Sequence, residues 1–211
     1  YLEVAALVGA ETPCIDPYLT VTQADLDEAR AVLPASAKPL AVLHPGAMSA
    51  RRRWPSEQFA QVGDALAGAG AEVAVIGTEP ELDVVAAVCN AMQSPAHCLC
   101  GKLSLRGLIG LLSQAAVVVS NDSGPLHLAG AVGASTVGIY WCGNLFNGGP
   151  ITQARHRTAA SWRLECPVCG VHCLQSECTH DASFVADIPT SEVIEQALEL
   201  LSSYPSPAHS L

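Results

Sequence analysis

The sequence predicts an α/β fold, an open parallel sheet whose strands are joined by crossover helices. Two observations carry this. From residue 40 to about 140, short β-branched runs alternate with amphipathic stretches, the order that a parallel sheet with crossovers requires. The 211 residues are 50% hydrophobic and 14% charged, which suits one well-cored unit with a small appendage and excludes a disordered or fibrous chain.

Residues 1–39 hold a helix-like stretch at 22–33, bounded by Pro13 and Pro17 before it and by Pro34 and Pro39 after it, and read as a connector or as the tail of a preceding N-terminal domain. The strands then read as "LAVLH" (40–44), "EVAVIG" (72–77), "HCLC" (97–100), "VVVS" (117–120) and "TVGIY" (136–140). Helices are expected near 56–69, 80–92, 104–114 and 125–132, with Ser56 and Ser104 as N-caps and Gly70 as a C-terminal stop. Residues 141–188 are rich in Gly, Pro, Cys and His with little periodicity and read as an irregular loop. The segment 189–203 puts Val193, Ile194, Ala197, Leu198 and Leu201 on one helical face that should pack back onto the sheet.

The formal net charge is -10 with only ten Lys and Arg, which argues against a general nucleic-acid binder. Charged residues interrupt the apolar stretches before they reach the ~18 residues that a spanning helix needs. The first residues carry no basic leader, and Glu3 stands where a signal peptide would want Lys or Arg, so a cytoplasmic location is expected.

In an open parallel sheet, ligands bind at the carboxyl ends of the strands, and the unusual polar clusters fall there. His44-Pro45-Gly46 follows the first strand, Gly77 to Glu81 the second, Gly101-Lys102 the third, Asn121 to Gly124 the fourth and Trp141 to Asn144 the fifth. In "VVVSNDSGPLHLAGAVG", Pro125 suits the first helical position, which leaves Ser123 and Gly124 in the turn with backbone N–H groups directed outward. Unsatisfied donors and the helix dipole both favour an anion there. Gly124 allows close approach, Ser123 adds a hydroxyl, and His127 can donate one turn later. Asp122 would repel a phosphate and suits sugar hydroxyls or the orientation of a neighbour. The plainer alternative is that Asp122 or Ser123 caps the helix and His127 is a core histidine. Of the triplet Arg51, Arg52 and Arg53, one or two can face the same anion, or all three form a solvated basic turn. Glu81 is placed to accept ribose hydroxyls, or is an acid in a helix's first turn.

Nine cysteines fall into two groups. Cys14, Cys89, Cys98, Cys100 and Cys142 are scattered through apolar sequence as core cysteines would be. Cys166, Cys169, Cys173 and Cys178 lie within a loop at 163–181 with His172 and His180 beside them. Four soft ligands at this spacing can close a structural zinc site; oxidation to disulfides and reduced thiols are the alternatives.

Residues 40–201 resemble the C-terminal half of glycosyltransferase family 9, the ADP-heptose:lipopolysaccharide heptosyltransferases. The resemblance rests on "HPGA", "RRWP", "IGTEPE", "GKLSLRGLIGLLSQAAVVVSNDSGPLHLAGAVGAS", and "CPVC" upstream of "IPTSEVIEQAL". It implies a Rossmann-like doubly wound domain over 40–211, one of two in a GT-B type glycosyltransferase, with residues 1–39 as the crossing segment. It implies an ADP-sugar donor contacted by Arg52 at the diphosphate, Glu81 at the ribose, Ser123 and Gly124 at the phosphates, Asp122 near the donor sugar, and His127. Arg52 replaces the family's usual Lys, Ser123 replaces Thr, and "YWCGNLFNGGP" departs from the family's Gly-Pro-Thr type loop. The resemblance places the base in an N-terminal domain that meets a glycolipid acceptor, so no catalytic residue and little transfer are expected of this chain alone. It also implies peripheral association with the inner membrane, no catalytic cofactor, and a fold role for the cysteines. A non-catalytic nucleotide-binding module that uses the Cys-rich loop for a partner is the alternative. A dinucleotide oxidoreductase is disfavoured, because "HPGAMSA" stands where G-x-G-x-x-G would follow the first strand.

Overall fold

A computed structural model describes residues 6–9, 17–173, 175–176 and 178–204. The expectations for the first residues, Pro13 and Cys14 lie outside the described residues. Six strands form one parallel sheet: β1 (Leu40–His44), β2 (Glu72–Val75), β3 (His97–Cys98), β4 (Ala115–Asn121), β5 (Thr136–Trp141) and β6 (His156–Ser161), in the order β3-β2-β1-β4-β5-β6. The helices are α1 (Gln23–Val32), α2 (Ser56–Gly68), α3 (Leu82–Ala91), α4 (Leu105–Ser113), α5 (Gly124–Ala131), α6 (Cys142–Gly148) and α7 (Thr190–Ser202). This is a Rossmann-like doubly wound sheet.

Strand alternation sorts the core into two layers. Leu43, Val73, Val75, Val117, Val119 and Ile139 pack with Phe59, Leu66, Val85, Val193 and Leu201, which puts α2, α3 and α7 on one face. Val42, Ala74, Ile76 and Val118 pack with Ala29, Leu111, Leu112 and Ala129, which puts α1, α4 and α5 on the other. β4, central and buried along its whole length, is "AAVVVSN", a near-continuous apolar run.

Residues 22–33 are more than a connector. α1 opens with a capping box in which Asp25 accepts from the Thr22 N–H and hydroxyl, at 2.8 and 2.7 Å. Ala29 and the following Leu33 are buried against α4.

Four other expectations need correction. The region 141–188 is not wholly irregular: it holds α6 and β6, and β6 pairs with β5 from His156 to Ser161. "HRTAAS" lies at the sheet edge and is only partly buried, so it lacks the apolar run of the inner strands. Ser56 is the first residue of α2, with Pro55 at the cap, whereas Ser104 does cap α4 by accepting from the Arg106 and Gly107 N–H groups. Gly124, not Pro125, opens α5. Cys89 and Cys98 are not separate core thiols but a disulfide between α3 and β3. No helix among the described residues is long and apolar enough to cross a membrane.

Candidate functional site

The sheet order reverses direction between β1 and β4, and at that point the chains leaving their carboxyl ends diverge and open a crevice. Register places His44 beside Ser120, so the two loops that follow share the crevice. Asn121, fully buried, ties them together. Its amide donates to the Pro45 carbonyl at 2.7 Å, and its oxygen accepts from the Trp54 N–H at 3.0 Å. Trp54 is itself fixed by a hydrogen bond to the Ile188 carbonyl (3.2 Å) and an edge-on contact with Phe59.

Across the crevice runs a polar chain. Glu81 Oε2 accepts from the Thr78 N–H and hydroxyl at 2.9 and 2.8 Å and lies 3.6 Å from His44 Nε2. His44 Nδ1 lies 3.1 Å from Ser123 Oγ and 3.3 Å from Ser120 Oγ. One imidazole therefore bridges the expected ribose acid and the expected phosphate hydroxyl. The Ser123 hydroxyl does not cap α5 but donates to the Asn121 carbonyl at 3.0 Å, and the space where a Cβ would stand on Gly124 is open. Beside His44 and Thr78 an apolar recess is lined by Ile76, Leu99, Leu103, Leu108 and Pro125.

His44 holds the Glu81 carboxyl down to a pKa of about 2, against burial and with help from Thr78. The folded value lies below the ordinary 4.5, so the stability it contributes is complete above that pH and is lost as pH falls through about 2. We expect Glu81→Gln to remove a component on the order of 2 kcal/mol from the acid limb of an unfolding profile and to leave the limb above pH 5 unchanged in shape. Denaturant unfolding across pH 2–6 measures it; superimposable acid limbs would refute it.

Asp122, 7% exposed, receives Arg52 at 3.3 Å on one oxygen and His127 at 3.3 Å on the other. Burial pulls this carboxyl upward, but His127 and then Arg52 outweigh it, and the pKa falls below the usual range. His127 is half-exposed at the crevice, not a core histidine. The arginine triplet is not a solvated turn: Arg52 faces Asp122, Arg53 donates to the Ala47 carbonyl at 2.9 Å, and Arg51 turns toward the cysteine loop.

In that loop Cys166, Cys169, Cys178 and His180 bring one ligand atom each within 4.8 Å of one another. Cys173, expected among the ligands, is outside this set, and its thiol donates to the Val171 carbonyl. His180 takes its place. Cys166 Sγ lies 3.8 Å from His180 Nδ1; metal–ligand distances of about 2.3 Å for sulfur and about 2.0 Å for nitrogen give a tetrahedral edge of about 3.5 Å. The backbone N–H groups of Cys169 and Val168 outweigh burial at Cys166 and hold its thiol pKa down to about 6, toward the ligating thiolate. Three thiols and an imidazole are a donor set that a soft divalent ion fits.

Sequence reasoning did not assign His44, Thr78, Ser120 or Asn121. Their one legible signal is polar character at the end of a buried strand; the partners stand 76 residues apart for His44 and Ser120.

Comparison with known proteins gives the family and the fold. The profile of glycosyltransferase family 9 (heptosyltransferase) matches residues 2–167. Lipooligosaccharide heptosyltransferase 2 of Haemophilus influenzae is 28% identical over 140 residues, 62% of this chain and 40% of that protein. Among solved structures, E. coli ADP-heptose lipopolysaccharide heptosyltransferase II superposes with a TM-score of 0.74 at 20% identity, covering 92% of this chain and 56% of that one. The dodecameric iron-containing heptosyltransferase TibC, solved with ADP-D-β-D-heptose, gives 0.55 at 16% identity over 81% of this chain and 47% of its own. The chain thus spans well under two thirds of the length of these relatives.

Proposed function

The chain belongs to glycosyltransferase family 9, and we propose that its sheet crevice binds the nucleotide-sugar donor, an ADP-heptose, for transfer to a lipopolysaccharide core or related surface glycan. The observation that carries this reading is the Glu81–His44–Ser123 chain, which sets a ribose acceptor and a phosphate donor on either side of one imidazole, beside an apolar recess. Glu81 accepts from the ribose hydroxyls, and Ser123, Gly124 and Arg52 take the diphosphate. Asp122 and His127 face the donor sugar.

Transfer by direct displacement, with inversion, needs a base within hydrogen-bond reach of the attacking acceptor hydroxyl. We assign that base and the glycolipid acceptor to another domain, in keeping with the greater length of the relatives. On its own the chain binds donor and transfers little. The reaction belongs at the cytoplasmic side of the inner membrane, with the protein peripheral to it. Cys166, Cys169, Cys178 and His180 hold a structural metal, zinc, that fixes the loop and takes no part in transfer; the structural neighbour TibC is itself iron-containing.

Isothermal titration with ADP, ADP-heptose and UDP tests the donor site. Saturable binding of ADP and ADP-heptose is expected, and Ser123→Ala and Arg52→Ala should each weaken it by about 1–3 kcal/mol, the worth of a charge-assisted hydrogen bond. Unchanged affinity in both variants would sink the assignment.

A further inference from the structure

Arg51 joins the cysteine loop to the crevice. Its Nε donates to the His180 carbonyl at 2.7 Å, and one terminal nitrogen donates to the Cys178 carbonyl and reaches the Cys178 Sγ at 3.0 Å. Its own carbonyl accepts from the Phe184 N–H at 2.8 Å, and its guanidinium lies 5.6 Å from the centre of the Phe184 ring. Two of the four residues that converge on the candidate metal position are therefore held by one arginine. The same short 3-10 turn, Ala50–Arg52, carries Arg52 to Asp122. Between the two arginines opens a cavity of about 240 Å³ walled by Trp141, Asn144 and Phe184.

Chemistry links the two ends. A thiol is a weak acceptor, whereas a metal-bound thiolate carries charge and accepts a charge-assisted bond from a guanidinium. Loading the loop strengthens the bond from Arg51 to Cys178, fixes the turn, and holds Arg52 where a diphosphate would meet it. We propose that Arg51 is a positioning residue that couples metal occupancy of the Cys-rich loop to the affinity of the crevice for a nucleoside diphosphate. This rests on both readings given above, the donor site and the metal site. Because linkage is reciprocal, the diphosphate tightens the metal by the same factor.

The test uses the 211-residue chain, zinc-loaded or stripped with a chelator, as native protein and as Arg51→Gln. ADP binding is followed by calorimetry and zinc affinity by competition with a chromophoric chelator. Stripping native protein should weaken ADP about tenfold, within the usual range of coupling between sites. Arg51→Gln should still take up zinc, about 10–100-fold more weakly, as expected for a lost outer hydrogen bond to a ligand, and its ADP affinity should no longer respond to zinc. A merely structural arginine would lower stability without abolishing that response. Equal ADP affinity of loaded and stripped native protein, or full coupling surviving in Arg51→Gln, overturns the proposal. Circular dichroism shows whether stripping unfolds the chain; in that case the loaded forms decide, with Arg51→Gln expected to bind ADP about tenfold more weakly and equal affinity overturning the idea. Zinc-loaded native protein that binds no ADP refutes the donor reading instead, and a chain that binds ADP but takes up no zinc refutes the metal reading; either removes the coupling with it.

Discussion

Gly110→Ala lowers the melting temperature by about 5–10 °C, although helix propensity alone predicts a small gain. A Cβ at Gly110 would stand 2.0 Å from the Asp25 carbonyl oxygen and 2.5 Å from its carbon. These are backbone atoms inside α1, so no rotamer change relieves the clash, and α1 must lift from α4. Lifting uncovers Ala29 and Leu33 and breaks the Arg106–Asp25 contact of 3.1 Å and the bond from the Ser104 N–H to Glu28 at 3.1 Å. Overpacking of this kind costs about 1–3 kcal/mol and at times more. Gly107→Ala is the milder comparison: its Cβ would meet the Glu28 carboxylate, the end of a flexible side chain that can swing away at the cost of its bond from the Ser104 N–H but without moving α1. Thermal unfolding of both variants decides the matter, and a Gly110→Ala protein as stable as the native one would contradict the packing described.

Asn121→Ala should destabilise the fold by about 2–4 kcal/mol and also abolish most ADP affinity, by more than tenfold. Removing the amide leaves the Trp54 N–H and the Pro45 carbonyl without the partner seen at 3.0 and 2.7 Å, both in buried surroundings. An orphaned buried group costs about 1–3 kcal/mol each. The functional loss follows because Asn121 is what seats the loop after β1 and the segment after Arg52 against the end of β4. Urea unfolding and calorimetry with ADP, run on one preparation, separate the two effects. A variant that loses stability yet binds ADP as tightly as native protein would show that the crevice does not depend on this clamp.

Much of the fold was legible because the inner strands are apolar runs of β-branched residues and the helices between them carry one apolar face. β6 was not, since an edge strand reading "HRTAAS" pairs through its backbone and buries little. The rim was legible as a list of polar residues, and the structure links Glu81 to Ser123 through His44 and pairs Arg52 with Asp122. Their connections were not. His44 and Asn121 act on partners brought near only by the pairing of β1 with β4, and nothing local to either residue records that. In the cysteine loop, spacing favoured Cys173 as a ligand; the chain path after Cys178 instead carries His180 into the group. The Cys89–Cys98 disulfide joins the end of α3 to β3, a juxtaposition set by how the helix packs, which scattered positions in an apolar sequence do not reveal.

The bridging position of His44 has a bearing on how this protein comes into being. Its contact with Ser120 closes a loop of 76 residues, the kind of distant closure whose entropy must be met before any reward arrives, and which slows the folding of parallel sheets. No stretch of the unfolded chain holds the crevice in miniature. Any ligand of the crevice therefore acts as a folding ligand: it draws the whole equilibrium toward the native form by mass action, with little to gain from partly folded chains.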